Sequence, residues 1–501
     1  MAASSNPTEE NWHPSSLLAY DALPDHQDFD SIISDAKFTA DTGTDFYGRS
    51  LTSRRYALVG VACSSIFGCL CVVAGLVTLA NHGVSGVTPT KMGTDNWLLR
   101  VQWEIVTLLL TLIVTFCTES IGFVHDISLR SALASESRLR FNTNLRLLTA
   151  ARGWYNPNGA LLNGVSAVLL IISYSSAGLV VCVDYSAPTP SPDWVLETGL
   201  AFAGLPLLLL GVALLLQVVI ALSGMRAAKI LTWSSSPFDL TAALVHHTQL
   251  TPVSFRCMRS CAGWAGVVLY IQDNDADMGV TNPAQPWSFL PTPDERPGTI
   301  VYNISGSNLQ GWILIFFNVG VFQGPLTLGL HCSELIANVI RDERQWRCAT
   351  GRKGIRMATN PLKSIFTHPI CLLLFVVKPF LHWMFGLGFN IDVTASGEQL
   401  PSLQASMSIA QIWNLCIALV IFACLFTLVA LRRPRGPQPA TYGHLQTLAN
   451  LVDEWSTVMW WGHKEDGIPY CHAGTSDHPL QDVKMDCVYA GSGVEPPASG
   501  S

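Results

Sequence analysis

The chain has 501 residues, of which 49% are hydrophobic and 13% are charged, and its net charge is −7. A typical soluble domain carries about 25% charged residues, so the charged share is roughly half of the expected one. The acidic balance and the absence of a basic stripe exclude a nucleic-acid-binding protein. The apolar composition indicates that a lipid bilayer is the main partner.

The N-terminal region precedes the first apolar stretch. Residues 1–55 hold nine acidic and four basic residues among Ser, Pro and Asp-rich sequence. Such a composition cannot bury enough apolar surface to fold. We therefore predict a disordered acidic tail over 1–55, on the cytoplasmic side.

Seven apolar stretches follow, each with the roughly 20 residues that a helix needs to cross the hydrocarbon core. They are Tyr56–Ala80, Val101–Val124, Leu161–Val183, Thr198–Leu222, Leu309–Leu330, Ser364–Gly388 and Ile409–Leu431. The sequence predicts an all-α fold, a transmembrane helix bundle over 56–431 with disordered termini.

Basic residues set the predicted topology. Of the 29 Lys and Arg residues, 25 fall before the first stretch, in alternate gaps or after the last stretch, as the positive-inside rule requires of cytoplasmic segments. With seven crossings, the basic segments after residue 308 would lie on the outer side. One more crossing between Arg259 and Asp273 returns them to the cytoplasmic side. The segment 257–272 is the only candidate, and its 11 apolar residues Cys261–Ile271 reach only about 16 Å as a helix. We predict either a short crossing or a truncated gene model here, and both termini in the cytoplasm.

Several strings resemble segments of multipass membrane proteins of filamentous fungi. The strings are LRFNTNLRLLTAARGWYNPNG (139–159), WSSSPFDLTAALVHH (233–247), QGPLTLGLHCSELIANVIRDERQWRCATGRKG (323–354), KPFLHWMFGLGF (378–389) and PATYGHLQTLANLVDEW (439–455). The resemblance implies a fungal source and a polytopic fold. Those proteins have no assigned activity, so the resemblance transfers no catalytic or binding residue.

Lys378 is the main candidate for a functional residue. It lies near the middle of an apolar stretch and is followed by Pro379, which frees a backbone carbonyl. An ionisable residue at that depth usually lines a polar cavity or pairs with a carboxylate. Glu104 and Glu119 of the second stretch are the candidate partners. The alternative is a lysine that extends along its helix to the membrane surface.

Other polar groups lie in or next to the fifth stretch. His331 and Glu334 are three residues apart and share a helix face, which fits an ion-paired helix end better than a proton relay or metal site. Asn318 and Gln323 are predicted to hydrogen-bond across helices. Asn303 begins an Asn-Ile-Ser glycosylation sequon on the predicted outer side, six residues before the stretch.

The C-terminal region 432–501 is predicted to be a cytoplasmic tail, disordered beyond residue 465. An amphipathic helix is expected near 443–461, and it would lie in the membrane surface or, as the less favoured alternative, bind a protein partner. We expect no metal site, because His463, Cys471, His472, His478 and Cys487 fit no zinc spacing. No catalytic or cofactor motif is recognised.

Three classes of function remain open. A non-enzymatic sensor, scaffold or partner-binding protein is favoured by the absence of catalytic motifs. A transporter or channel is indicated by Lys378 with Glu104 or Glu119. A membrane-embedded enzyme has only His331 and Glu334 to offer. The plasma membrane or an endomembrane is the expected location.

Overall fold

The structure is a computed structural model of the 501-residue chain. It describes residues 51–83, 87–90, 96–140, 149–186, 197–234, 236–246, 299–304, 309–356, 368–395, 402–432, 444–456, 458–467, 471–484, 487 and 489–490. Among these residues, seven helices are long and apolar enough to cross a membrane. The predicted helix bundle is confirmed, and the protein is embedded in a membrane.

The described part of the chain forms nine helices. They are α1 (Leu51–His82), α2 (Asn96–Ser135), α3 (Ala160–Val180), α4 (Gly204–Ala227), α5 (Pro237–His246), α6 (Leu309–Ala349), α7 (Pro369–Gly388), α8 (Ile409–Ala430) and α9 (Leu445–Leu451). Only α5 and α9 are too short to span the bilayer. The 41 residues of α6 extend about 60 Å, twice the hydrocarbon thickness, so this helix continues well beyond the membrane.

A six-stranded sheet covers one end of the bundle, and the apolar pattern did not predict it. Its strands are β1 (Val87–Thr90), β2 (Val181–Ser186), β3 (Glu197–Ala203), β4 (Thr299–Ile304), β6 (Phe389–Ala395) and β7 (Ser402–Ser408), in the order β1-β3-β2-β6-β7-β4. Each strand directly follows or precedes a spanning helix. We call this the sheet end of the bundle.

The opposite end carries the arginine-rich segments, and we call it the basic end. Asn158, just before α3, bridges the last turns of α2 and α4: it accepts a hydrogen bond from Ser128 at 2.9 Å and donates one to the Gly224 carbonyl at 3.2 Å. The ring of Phe238 in α5 packs 5.2 Å from that of Trp346, near the end of α6. Arg54, in the first turn of α1, lies over the Trp233 ring between α4 and α5. The starts of α1 and α3 and the ends of α2, α4 and α6 are therefore at this end.

The predicted eighth crossing, 257–272, lies outside the described residues. The nearest described residues on either side are His246, where α5 ends at the basic end, and Thr299, where β4 begins at the sheet end. Eight crossings require this opposite placement of the two flanks.

Glycines allow α1 and α4 to pack closely. A Cβ added at Gly75 would lie 2.7 Å from the backbone nitrogen of Leu208, and one at Gly211 would lie 2.6 Å from the carbonyl oxygen of Gly68. Both distances are too short for any side chain. Small residues at such positions bring membrane helices into backbone contact.

The C-terminal region differs from the prediction. The helix expected near 443–461 is only α9, Leu445–Leu451, and it is followed by the strands β8 (Val458–Glu465), β9 (Cys471–Ser476) and β10 (Tyr489–Ala490). With β5 (Ile355–Arg356) they form a sheet in the order β10-β9-β8-β5, where disorder was predicted beyond residue 465. The apolar side chains of this region pack against Trp346 and Ile355, whereas the prediction had them facing lipid. We call residues 444–490 with β5 the C-terminal module.

Candidate functional site

Lys378 lies on α7, with only 4% of its surface exposed. Long side chains in a helix point towards its N-terminus, and α7 starts on the basic side of the bundle. The ammonium is therefore directed towards the half of the membrane nearest the basic end. There it lies between two carboxylates from other helices.

The carboxylates belong to Glu119 of α2 and Glu334 of α6. The Lys378 Nζ lies 3.0 Å from Oε1 of Glu119, and it also forms an ion pair and hydrogen bond with Oε1 of Glu334. The side chains of Glu119 and Glu334 are 34% and 20% exposed, against 6% for Lys378. The ammonium is thus the buried centre of the group, and the carboxylates are its more accessible edge.

His331 completes the group, which we call the ionic cluster (Glu119, His331, Glu334 and Lys378). Its Nδ1 lies 3.7 Å from Oε1 of Glu334, one turn along α6. Single ligand atoms of Glu119, His331 and Glu334 all lie within 4.8 Å of one another. The helix end and the intramembrane lysine, treated as separate features in the sequence, are therefore one site.

Glu104, the other candidate partner, lies far from the cluster. It precedes Glu119 by 15 residues on the same helix, or about 22 Å along the axis. Its backbone carbonyl accepts a hydrogen bond from Trp383 Nε1 at 3.1 Å. Glu119 is the residue of α2 that meets the lysine.

A neutral polar chain continues from the cluster towards the sheet end. Gln323 of α6 is buried and its Nε2 lies 2.6 Å from Nδ1 of His382, one turn after Lys378 on α7. The His382 ring stacks on Tyr174 of α3, with centroids 3.7 Å apart. The Tyr174 hydroxyl lies 3.2 Å from that of Thr118, next to Glu119.

His382 was missed in the sequence analysis, although the spacing Lys378 to His382 places both on one helix face. The predicted interhelical hydrogen bond of Gln323 is present. Asn318, for which the same was predicted, is exposed on α6 because it lies on the side of the helix opposite Val319 and Gln323. Asn303 lies in β4 and pairs in register with Gln404 of β7, at the sheet end.

A small polar cavity lies between α2, α3 and α4, with a volume of about 10 Å³. Its lining includes His125, Asn163, Ser166 and Gln217. This volume is about that of one water-sized probe, and a polar lining favours occupancy by water. It is a second polar position inside the bundle, separate from the lysine.

The C-terminal module has its own charged network, centred on Asp453. The carboxylate accepts hydrogen bonds from the Thr475 backbone nitrogen at 2.6 Å and from Lys464 Nζ at 3.0 Å, and it lies 2.9 Å from His472 Nε2. Burial alone would raise the pKa of Asp453. The bonds from His472, Thr475 and Lys464 outweigh burial and lower the pKa to about 2.

The charge count of the ionic cluster determines its chemistry. One ammonium facing two carboxylates leaves one negative charge in excess when all three groups are ionised. An uncompensated charge is unfavourable in a low-dielectric environment. The arrangement therefore favours one additional proton or small cation, which a carboxylate or the His331 ring can take.

Comparisons with protein families, with curated proteins and with solved structures find no match to this chain.

Proposed function

We propose that the protein is a proton-coupled membrane transporter in which the ionic cluster is the coupling site. The proposal rests on one observation: the buried Lys378 ammonium bridges carboxylates from two other spans, α2 and α6. Proton binding to one carboxylate weakens its attraction for the lysine. Each proton taken up or released therefore changes the force that holds three helices together.

The arrangement supports transport better than the two alternative classes. A purely structural bundle does not require an ionised lysine in its interior, because replacing a buried ion pair by apolar residues is often neutral or stabilising. A hydrolytic enzyme needs a group that faces substrate. Here the ammonium lies between the carboxylates and is bonded to both.

The test is a flux measurement on the full chain reconstituted in liposomes with a trapped pH indicator. Amino acids, sugars, organic acids, nucleobases and inorganic ions are added in turn across an imposed pH gradient. We expect at least one class to drive proton movement. Lys378→Leu should insert normally and abolish the flux, Lys378→Arg should retain part of it, and Lys353→Leu, at an exposed lysine of the basic end, should leave it unchanged.

The proposal is contradicted if the inserted wild-type chain moves no protons with any class. It is equally contradicted if a solute is transported and Lys378→Leu transports it as well as the wild type does.

A sensor is the second candidate, because α6 joins the cluster to the C-terminal module without a break. Glu334 and Trp346 are 12 residues apart on this helix, or about 18 Å. A sensor would change the protease resistance of the module when the cluster takes up a proton. Limited proteolysis across a pH series, with wild type and Lys378→Leu in parallel, separates the two candidates.

We further propose that the basic end and both termini face the cytoplasm, at the plasma membrane or an endomembrane, because basic residues are retained on that side. Tags on both termini should then bind antibody only after permeabilisation of the plasma membrane. A tag reached in intact cells would contradict this orientation.

A further inference from the structure

Four metal-ligating side chains meet at one edge of the C-terminal module. His463 lies near the end of β8, with Asp466 just after it, Cys471 starts β9, and Cys487 precedes β10. The strand β10 runs parallel to β9 with Tyr489 opposite Cys471, which brings Cys487 to the same edge. The residues come from three adjacent strands.

The distances among His463, Asp466 and Cys471 suit three ligands of one metal ion. His463 Nε2 lies 3.3 Å from Asp466 Oδ1, and Cys471 Sγ lies 3.8 Å from the same oxygen. One ligand atom from each of the three residues lies within 4.8 Å of the others. Around zinc, with bonds of about 2.0–2.3 Å, neighbouring ligand atoms are about 3.3–3.8 Å apart.

The Cys487 thiol joins this group through Cys471, because the two thiols lie within hydrogen-bonding reach of each other. Both cysteines are free thiols, Cys471 buried and Cys487 half-buried. A metal would take both as thiolates and release their protons to solvent.

The orientation of His463 is fixed in the way that metal sites require. Its Nδ1 lies 3.0 Å from the Tyr489 hydroxyl, and this hydroxyl accepts a hydrogen bond from the Lys484 backbone nitrogen at 2.7 Å. The contact leaves Nε2 directed at Asp466 and Cys471. Metal-bound histidines almost always have such a partner on the second ring nitrogen.

We propose that the C-terminal module binds one divalent transition-metal ion, with zinc as the expected metal, through His463, Asp466 and Cys471, and with Cys487 as the fourth ligand. Two sulfurs, one nitrogen and one oxygen suit zinc. Asp466 also pairs with Lys484 and is the most exposed of the four, so it is the weakest ligand. The site is independent of the ionic cluster and of its function.

The test uses the full chain in detergent with reductant, stripped by a chelator and titrated with Co²⁺. We expect thiolate-to-cobalt charge-transfer absorption that saturates at one ion per chain. Cys471→Ser and Cys487→Ser should each lose the saturable one-ion binding, and Tyr489→Phe should weaken cobalt affinity about tenfold. Cys348→Ser and His478→Ala remove exposed side chains outside the site and should bind cobalt as the wild type does.

A second measurement needs no variant. Zn²⁺ should protect Cys471 and Cys487 of the wild-type chain from alkylation, and the exposed Cys348 should react equally with and without it. Equal alkylation of the pair with and without zinc would overturn the proposal. So would cobalt absorption without the thiolate band, or recovery of Cys471 and Cys487 from cells as a disulfide.

Discussion

The ionic cluster and the Asp453 network are built from the same groups in different solvents. In both, a lysine bonds two carboxylates: Lys378 with Glu119 and Glu334, and Lys464 with Asp453 and Glu454. Around Asp453, a backbone N–H and a histidine add further hydrogen bonds. Lys378 is surrounded by helices and lipid. Its two carboxylate partners therefore supply nearly all of the favourable interaction that offsets the burial of its charge.

The two arrangements therefore differ in what compensates a charge when its ion-pair partner is removed. At Asp453, the other hydrogen bonds remain when one partner is removed. At an exposed pair such as Arg347 and Glu343, solvent replaces the lost partner, and such pairs contribute about 1 kcal/mol or less. A charge stranded inside the bundle keeps its full desolvation penalty, and breaking such a pair is unfavourable by about 3–5 kcal/mol. The largest mutational effects should therefore fall in the membrane.

The largest expected effect is that of Lys378→Leu. This change leaves Glu119 and Glu334 facing each other without a cation, so we expect a loss of about 3–5 kcal/mol in the free energy of unfolding. Reversible unfolding in mixed micelles measures it. The variant should still insert, because leucine favours the membrane.

The combined variant Lys378→Leu, Glu119→Gln, Glu334→Gln is the matched control. It removes all three charges, and most of the lost stability should return. If the triple variant is as unstable as the single one, packing rather than charge explains the effect.

The next largest effect is expected from Gly474→Ala in β9. A Cβ at this position would overlap the Asp453 carboxylate and displace it from its hydrogen bonds. We expect a loss of about 3 kcal/mol from the module, visible as faster proteolysis of residues 444–490. Gly320→Ala, where a Cβ meets nothing within 4 Å, should leave stability unchanged. Equal behaviour of the two variants would contradict the packing of Asp453.

The pH dependence of the module should reflect Asp453. Its pKa is lowered from 3.8 to about 2, so its stabilisation is complete above about pH 4 and is lost as the pH falls through 2. The shift corresponds to about 2 kcal/mol. Proteolysis or hydrogen exchange between pH 2 and 5 should show this loss in the wild type and not in Asp453→Asn. An unchanged profile in the variant would assign the acid sensitivity to another group.

The smallest effect is expected from Arg347→Ala, which breaks the ion pair with Glu343 on the part of α6 outside the membrane. The arginine side chain is 44% exposed, so solvent compensates for the lost partner. The free energy of unfolding should change by about 0.5 kcal/mol or less. A loss of unfolding free energy as large as that of Lys378→Leu would contradict the distinction between exposed ion pairs and those inside the helix bundle.

The helix bundle could be predicted from the sequence because lipid imposes a length and an apolar composition on every span. Lys378 could also be identified, since one charge in an apolar stretch is conspicuous. Its partners could not. Glu119 and Glu104 are both plausible by depth alone, and Glu334 lies beyond the apolar part of α6, where it was assigned to a helix end with His331.

The C-terminal module shows why the remaining structure was not predicted. Leu445, Leu448, Val452, Trp455 and Met459 fit a helical period, but the strand β8 begins at Val458, because its side chains are covered by α6 and β9. The cluster of His463 and Cys471 arises from strand pairing, so no local spacing could indicate it. Contacts between segments distant in the sequence determine both the strand β8 and the cluster of metal-ligating side chains.

The most direct test of the central claim is a double-mutant cycle between Lys378→Met and Glu119→Gln, measured as the free energy of unfolding in mixed micelles. A buried, bonded pair predicts strong coupling, so the two changes together should be less destabilising than the sum of the single changes by about 1.5 kcal/mol or more. Additivity within about 0.5 kcal/mol would show that these side chains do not interact and would contradict the ionic cluster.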